Sequence, residues 1–522
     1  MKLKKLSILS LIITSLSVTG CADFLNNLVS PNVPRPTDLN PVSLKYTNSD
    51  LYKYSVFDVD CFPSLGNTKA LIIPIWFSDS TQYVKEDKKD QLISDIDLAF
   101  NGDPEEIGYE SVSSYYKELS KDKFNVTFKI SDWYTPFSSS VYYGSSSINT
   151  IDTLTTQATE WYFGNTNDSR VNYDYNKDGV LDGVIFIYAA PDYEQLGNDN
   201  LGNLWAFVNW HQNTSNRNVS VPIINQYLWA SYDFMYSDAD ARTRLGSNYG
   251  SGDTRYCELD THTYIHEFGH LLGLEDYYDY GPENYTPAGV FSMQDHNIGS
   301  HDPFSSLSLG WTKVIVPSET CTVELESFQD SNTVILLTNE YTGSVFDEYL
   351  LVELYTPTGL NQFDVAHRYT NKYPSGPALP GIRLWHVDAR LAVFENDKGK
   401  TYYHGMATAP TGRYGSNTNA TYYLATSNTY GGDYGSMLEG IVDNVLDMNI
   451  LQLIRSDTRI NYRPRDYLTY DNLFTTGETF SIEKFKDQFV YKTNLNNGLE
   501  FKWSFKVNSV SNSKANITFT LD

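Results

Sequence analysis

The chain has 522 residues, four cysteines and 41% hydrophobic residues, enough for two or three globular domains that need no disulfide scaffold. Its 38 Lys plus Arg face 64 Asp plus Glu, a formal charge of −26. Such a surface repels a phosphate backbone and an anionic bilayer, so nucleic-acid binding and polybasic membrane binding are excluded as first readings.

In chain order, Lys2, Lys4 and Lys5 form a charged n-region, Leu6 to Val18 an apolar stretch too short to span a bilayer, and Val18-Thr19-Gly20-Cys21 a small-residue end. This is the pattern of an export signal over residues 1–21. With Cys directly after the small residues it resembles a bacterial lipobox, which implies lipid attachment at Cys21 and a place on the extracellular face of a bacterial membrane. Membrane contact is then expected through that lipid alone. Cys61, Cys257 and Cys321 remain, an odd number that allows at most one internal disulfide. Residues 22–68 read as an extended tether, with Pro31, Pro34, Pro36 and Pro41 opposing a packed element.

The run Ala70 to Phe77 reads as the first core strand, with Pro74 arguing for an edge or a bulge. Helical spacing follows in Leu92, Ile93, Ile96 and Phe100, then in Val112, Tyr115, Tyr116 and Leu119. Phe124 to Ile130 alternates as a strand, and Ile148, Ile151, Leu154, Ala158 and Trp161 mark a third helix. The next segment, Asp174 to Asp182, places the side chains of Asp174, Asn176, Asp178 and Asp182 and the carbonyl of Val180 at positions 1, 3, 5, 9 and 7 of an EF-hand-like loop with Gly179 at position 6. That front half suits a structural Ca²⁺. Position 12 is Ile185 rather than Glu, and the loop leads into the strand Val184 to Tyr188, so an Asx-rich turn that binds nothing is the competing reading. Leu204 to Val208 reads as a strand that either forms an edge for an extended substrate or sits in the core.

Thr261 to Asp276 carries the chemistry. Asp260, Thr261 or Thr263 caps a helix in which His266 and His270, one turn apart, offer the paired imidazoles of a tetrahedral Zn²⁺ site. Glu267 lies about 100° further round, placed as a general base toward water rather than as a ligand. Gly273 supplies the left-handed residue that turns the chain back, so that Asp276 approaches as third ligand. Glu275, Asp279, Glu283 and Glu319 are the alternatives for that position. His262 precedes the pair by one turn, near the helix start, where a solvated or capping role is expected. His296 and His301 are candidates for the cleft, and His386 for a structural role in a strand. After about residue 315 strands dominate: Leu350 to Tyr355, Ile382 to Val387, Phe501 to Val507 and Ala515 to Leu521. The fold class expected is α+β, with a catalytic domain of mixed sheet and active-site helix over 69–318 and a β-rich domain over 319–522.

The segment His266 to Asp279 (HEFGHLLGLEDYYD), Phe291-Ser-Met-Gln294 and Asp302 to Trp311 together resemble the immune inhibitor A type of secreted metallopeptidases. Ser111 to Ser120, Asp132-Trp-Tyr134, Tyr349 to Glu353 and Gly381 to Asp388 extend the resemblance over roughly residues 69 to 390. It implies a zincin-like catalytic domain, an endopeptidase acting on proteins or peptides, His266, His270 and Asp276 as zinc ligands, Glu267 as base and Met293 as a hydrophobic floor beneath the metal. The rival class is a catalytically silent adhesin or binding lipoprotein that uses the β-rich domain, which would tolerate loss of Glu267. A carbohydrate binder is a weaker rival, because Trp205, Trp210, Trp311 and Trp385 are scattered.

Overall fold

The computed structural model describes residues 39–49, 61–211, 216–280, 286–370, 372–395, 400–404, 420–423, 428, 449–459, 467–489 and 491–522, and within them the chain is α+β with mixed sheets. Cys21, the export signal, most of the predicted tether and Glu283 lie outside the described residues.

The first sheet runs in the order β2-β1-β3-β5-β4, formed by β1 (Gly66–Ile72), β2 (Phe124–Ile130), β3 (Val184–Tyr188), β4 (Phe207–Trp210) and β5 (Gln226–Ser231). β2, β1, β3 and β5 are parallel, and β4 closes the edge antiparallel to β5. Every residue of β3 and β5 is buried, as continuous apolar runs between two covering layers require, while β2 alternates as an outer strand does. β1 is interior, which corrects the edge expected from Pro74. That proline lies just past the strand, where Ser131 and Tyr134 donate to the carbonyls of Ile72 and Pro74 and the neighbouring chain bulges, so no ladder N–H is needed there.

Helices α1 (Lys89–Asn101) and α2 (Val112–Ser120) pack on β2. A capping box between Ser111 and Ser114 starts α2, whose buried Val112, Tyr115, Tyr116 and Leu119 are the periodic residues. α3 (Ile148–Asn165) and α4 (Asp238–Leu245) follow, and α5 (His262–Leu271) packs against β5 and β4.

A second sheet has the order β14-β10-β9-β8-β6, from β6 (Lys313–Ile315), β8 (Thr333–Leu337), β9 (Glu348–Tyr355), β10 (Gly381–Asp388) and β14 (Leu451–Ile454). A third has the order β15-β16-β17-β7, from β7 (Cys321–Glu326), β15 (Thr479–Ser481), β16 (Trp503–Val510) and β17 (Lys514–Leu521). Residues of both share one apolar cluster, with Ile335, Val352 and Leu384 meeting Val323, Phe505 and Phe519. β11 (Leu391–Glu395), β12 (Lys400–His404) and β13 (Ala420–Tyr423) form a small separate sheet.

The other face of the second sheet is covered by Tyr277, Val290, Phe291, Phe304 and Leu307, the last two from the short helix α6 (Pro303–Ser308). At about 1.5–3 kcal/mol per buried large apolar side chain, this cluster fixes the segment after α5 to the β-rich half. The boundary predicted at 318/319 is therefore not a seam, since β6 precedes it yet pairs with β8. The predicted tether is corrected too: Val42 pairs with Val314, Tyr46 with Ser344, and β1 already begins at Gly66.

Candidate metal centre

α5 is buried along almost its whole length. Phe268 sits among Phe62, Tyr116, Phe124 and Phe128, and the hydroxyls of Tyr264 and Tyr116 donate to the carbonyls of Ser231 and Ile265, both at 2.7 Å. Thr261 is the N-cap residue, but the Asp260 carboxylate accepts the His262 N–H at 3.0 Å, and Thr261 Oγ1 instead donates to Glu110. At the other end Gly273, with φ of 91°, donates to the His270 carbonyl at 2.9 Å, and Leu274 donates to Gly269 at 2.9 Å. This Schellman turn reverses the chain toward the helix. The outlying carbonyls of Leu271 and Gly273 are taken by Phe62 N–H and by the Asn48 amide, each at 2.7 Å.

The reversal brings Asp276 to the histidine pair. His266 Nδ1 meets the Met293 carbonyl and His270 Nδ1 the Leu274 carbonyl, each at 2.8 Å. A carbonyl only accepts, so both Nδ1 atoms carry the proton and both Nε2 atoms present lone pairs. These lone pairs face Asp276 Oδ1 at 3.1 Å and 3.4 Å, and the three atoms are the one group of three such ligand atoms within 4.8 Å of one another among the described residues. Asp276 Oδ1 is buried without a hydrogen-bond partner, as is Glu267 Oε2 beside it. Three acceptors converging on one point repel unless a cation or a proton lies between them, and two imidazoles with one carboxylate are the donor set that suits Zn²⁺.

The same demand for positive charge shows in the electrostatics, which favour a second proton on His270, at the Nε2 that would otherwise meet a metal. Burial works against a charged His270, yet the Asp276 carboxylate overrides it and pushes the imidazole up to about 10. Burial likewise opposes ionisation of Asp276, and the two histidines reverse this and hold its carboxyl well below the usual range. Burial raises the Glu267 carboxyl, partly countered by His270 and His266 and reinforced by Asp276.

Around this group stand residues whose contacts no spacing in the sequence discloses. Tyr280 donates its hydroxyl to Asp276 Oδ2. Gln294 meets His301 Nε2 with its oxygen at 3.1 Å while its amide nitrogen lies 3.5 Å from His270 Nδ1, and Tyr115 holds His301 Nδ1 at 2.9 Å. Gly269 gives Gln294 its place here, because a Cβ would displace the Gln294 amide. Asp302 caps α6 and accepts from Ser292 at 2.6 Å, which ties down the loop carrying Met293. Met293 itself is fully buried in the core. Only its FSMQ setting pointed to it.

His262 is buried rather than solvated, correcting the expectation. Burial, then the positive ends of His266 and His296, push it down to about 3, so it is a neutral imidazole outside the ligand group. His296 pairs with Asp295 and stacks on Tyr373 at 4.7 Å and Tyr278 at 5.0 Å. His386 is buried and bonded to Glu348 at 2.8 Å, a satisfied structural histidine. Glu275, Asp279 and Glu319 do not join the metal group. Cys61, Cys257 and Cys321 are free thiols, and Trp311 and Trp385 are buried where no sugar reaches.

The loop 174–182 is closed by its own backbone. Asp174 accepts the N–H groups of Asp178 and Gly179 at 3.0 Å and 3.1 Å, Asp182 accepts Tyr175 N–H at 2.7 Å, and Asp178 accepts Val180 N–H at 2.9 Å and pairs with Arg217 at 3.0 Å. Lys177 and Gly179 take the positive φ that the turn needs. Its three carboxylates do not gather as the His-His-Asp group does. The substrate-edge candidate is placed as β4, three residues later than Leu204, which is itself buried.

No family model and no curated protein matches the chain, so the functional reading rests on the chemistry of the site.

Proposed function

We propose that the protein is a zinc-dependent endopeptidase of the immune inhibitor A type, with a zincin-like domain around α5 and a β-sandwich formed by the second and third sheets. The observation that carries this reading is the convergence of His266 Nε2, His270 Nε2 and Asp276 Oδ1 next to the unpartnered Glu267 Oε2. His266, His270 and Asp276 would hold the ion. Zinc bound there supplies Lewis-acid polarisation of a peptide carbonyl and acidifies water.

The protein's own part is positioning and proton handling. The Met293 and Leu274 carbonyls fix the tautomer and aim of the two imidazoles, and Tyr280 steadies the carboxylate. Glu267, raised by burial, is suited to take a proton from water and return it to the leaving amine. β4 is the edge strand of the first sheet and packs against α5, so an extended peptide is expected to add beside it as a further strand. The export signal and Cys21 support an anchored, extracellular enzyme.

The test is metal content and cleavage of an unfolded protein by the purified chain beside Glu267→Ala. About one zinc per chain and cleavage that vanishes in the variant support the reading. Cleavage that survives in Glu267→Ala sinks it.

A further inference from the structure

Residues 39–49, expected from their composition to be tether, are exposed or half-buried except at two positions, Leu44 and Asn48. Leu44 joins the apolar cluster on the second sheet. Around it the backbone is stitched down. Val42 and Val314 exchange N–H bonds at 2.9 Å and 2.7 Å, Lys45 donates to the Gly343 carbonyl at 2.7 Å, and the Tyr46 carbonyl accepts from Val345 at 3.1 Å. Asn48, only 3% exposed, then reaches into the turn at the end of α5, where its side-chain amide donates to the Gly273 carbonyl at 2.7 Å across 225 residues of chain.

The peptide plane between Gly273 and Leu274 is gripped at both ends. Its N–H donates to the Gly269 carbonyl at 2.9 Å inside the turn, and its carbonyl takes the Asn48 amide from outside. The next carbonyl along, that of Leu274, accepts from His270 Nδ1 at 2.8 Å, and two residues later the chain reaches Asp276. Without Asn48 the plane is held at one end only, and any rotation of it shifts the carbonyl that aims His270 together with the chain that carries Asp276. A carbonyl only accepts, so the nitrogen of Asn48 must face it, and neither a leucine nor an aspartate at position 48 reproduces the bond. Groups that orient the partner of a metal-binding imidazole act on the ion through that partner.

We propose that Asn48 is a positioning residue of the metal centre, and that residues 42–48 form a strap whose backbone bonds hold it in place. The chain between the export signal and the first strand then does more than space the protein from an anchor, because it orders the turn that brings His270 and Asp276 together. For its effect on the metal the proposal rests on the zinc reading. Its effect on the turn stands without any ion.

The test has one arm without metal and one with it, both on the full chain. In the metal-free protein, Asn48→Leu is expected to speed amide exchange at Gly273 and Leu274 by about threefold or more and to leave Ile265 and Phe268, in the middle of α5, unchanged. Val42→Pro removes the N–H given to Val314, six residues before Asn48, and is expected to speed the same two amides by a smaller factor. Unchanged exchange at Gly273 and Leu274 in Asn48→Leu, or equal acceleration along the whole of α5, overturns the positioning role. Unchanged exchange in Val42→Pro alone overturns the strap. In a competition titration, zinc is expected to bind about fivefold more weakly to Asn48→Leu than to the wild type. Wild-type affinity beside faster exchange overturns the link to the metal. A wild type that takes no zinc sinks the metal assignment instead, and the exchange arm still decides on Asn48. Should Asn48→Leu not fold, Asn48→Asp, which keeps the shape and loses the donor, takes its place.

Discussion

The His386–Glu348 cluster of the second sheet and the group at the end of α5 are built from the same residue types to opposite ends. In the β-rich half, buried Glu348 accepts from His386 Nε2 at 2.8 Å and from the backbone N–H groups of Asn496 and Asn497 at 2.6 Å and 2.7 Å, while Asp388 takes Arg390 and the Asn496 amide. Donors match acceptors there. At α5 the Nδ1 protons of His266 and His270 are spent on carbonyls, so their Nε2 atoms meet a carboxylate with no proton to share unless a ring takes up a second one. What separates a structural cluster from a metal centre is thus not composition or burial but the count of protons facing inward.

The comparison breaks most sharply at Glu267. Glu267→Ala should lower turnover by about 10²–10⁴-fold while zinc stays bound, measured as kcat beside metal content. Parallel loss of metal would make Glu267 a ligand. Next in size, Glu348→Gln should cost roughly 3–5 kcal/mol in urea unfolding and leave zinc content per folded chain untouched, because it removes the buried charge that accepts from His386 and from the Asn496 and Asn497 N–H groups. If zinc falls with it, the two clusters are not separate. Asp276→Asn should weaken zinc binding by about 100-fold or more in a competition titration, since the charge that draws the ion is lost. Gln294→Ala should weaken zinc about tenfold, because its side chain packs between His270 and His301, with little effect on stability. A loss as large as that of Asp276→Asn would place Gln294 among the ligands.

Much of the first half was legible because its residues obey a period. Phe124 to Ile130 alternates and is a strand over those same residues, and the repeats at Leu92 and Val112 became α1 and α2. His266, His270, Gly273 and Asp276 were legible as a group because one helix turn and one left-handed residue bring them together with little help from elsewhere. What escaped is what depends on distant chain. Gln294, Tyr280 and Asn48 act through single hydrogen bonds that leave no spacing to read. β6 is a three-residue strand whose partner β8 begins well after it, and Val42, within the predicted tether, joins the fold by an isolated bridge, so neither pairing leaves a pattern along the chain.

The smallest effect concerns a carboxyl of a third kind. Asp364, on helix α7 (Asn361–Ala366), accepts from Ile298 N–H and from the Asn297 amide, both at 2.9 Å, so its direct donors are neutral. Burial pushes it from 3.8 up to about 7, against the pull of those bonds and of Arg383. A carboxyl raised in the folded state contributes its full stability below the unfolded value. As pH climbs, the unfolded chain releases the proton near 3.8 while the folded chain keeps it until about 7, so stability falls through that window and then levels. Asp347, also pushed up to about 7 by burial, adds a fall of the same sign, so the wild-type curve alone does not isolate Asp364. The difference in urea midpoint between wild type and Asp364→Asn does. It should move against the wild type between about pH 4 and pH 7 and stay flat above. A difference independent of pH would mean that Asp364 ionises in the fold as readily as in the unfolded chain, with Arg383 compensating its burial.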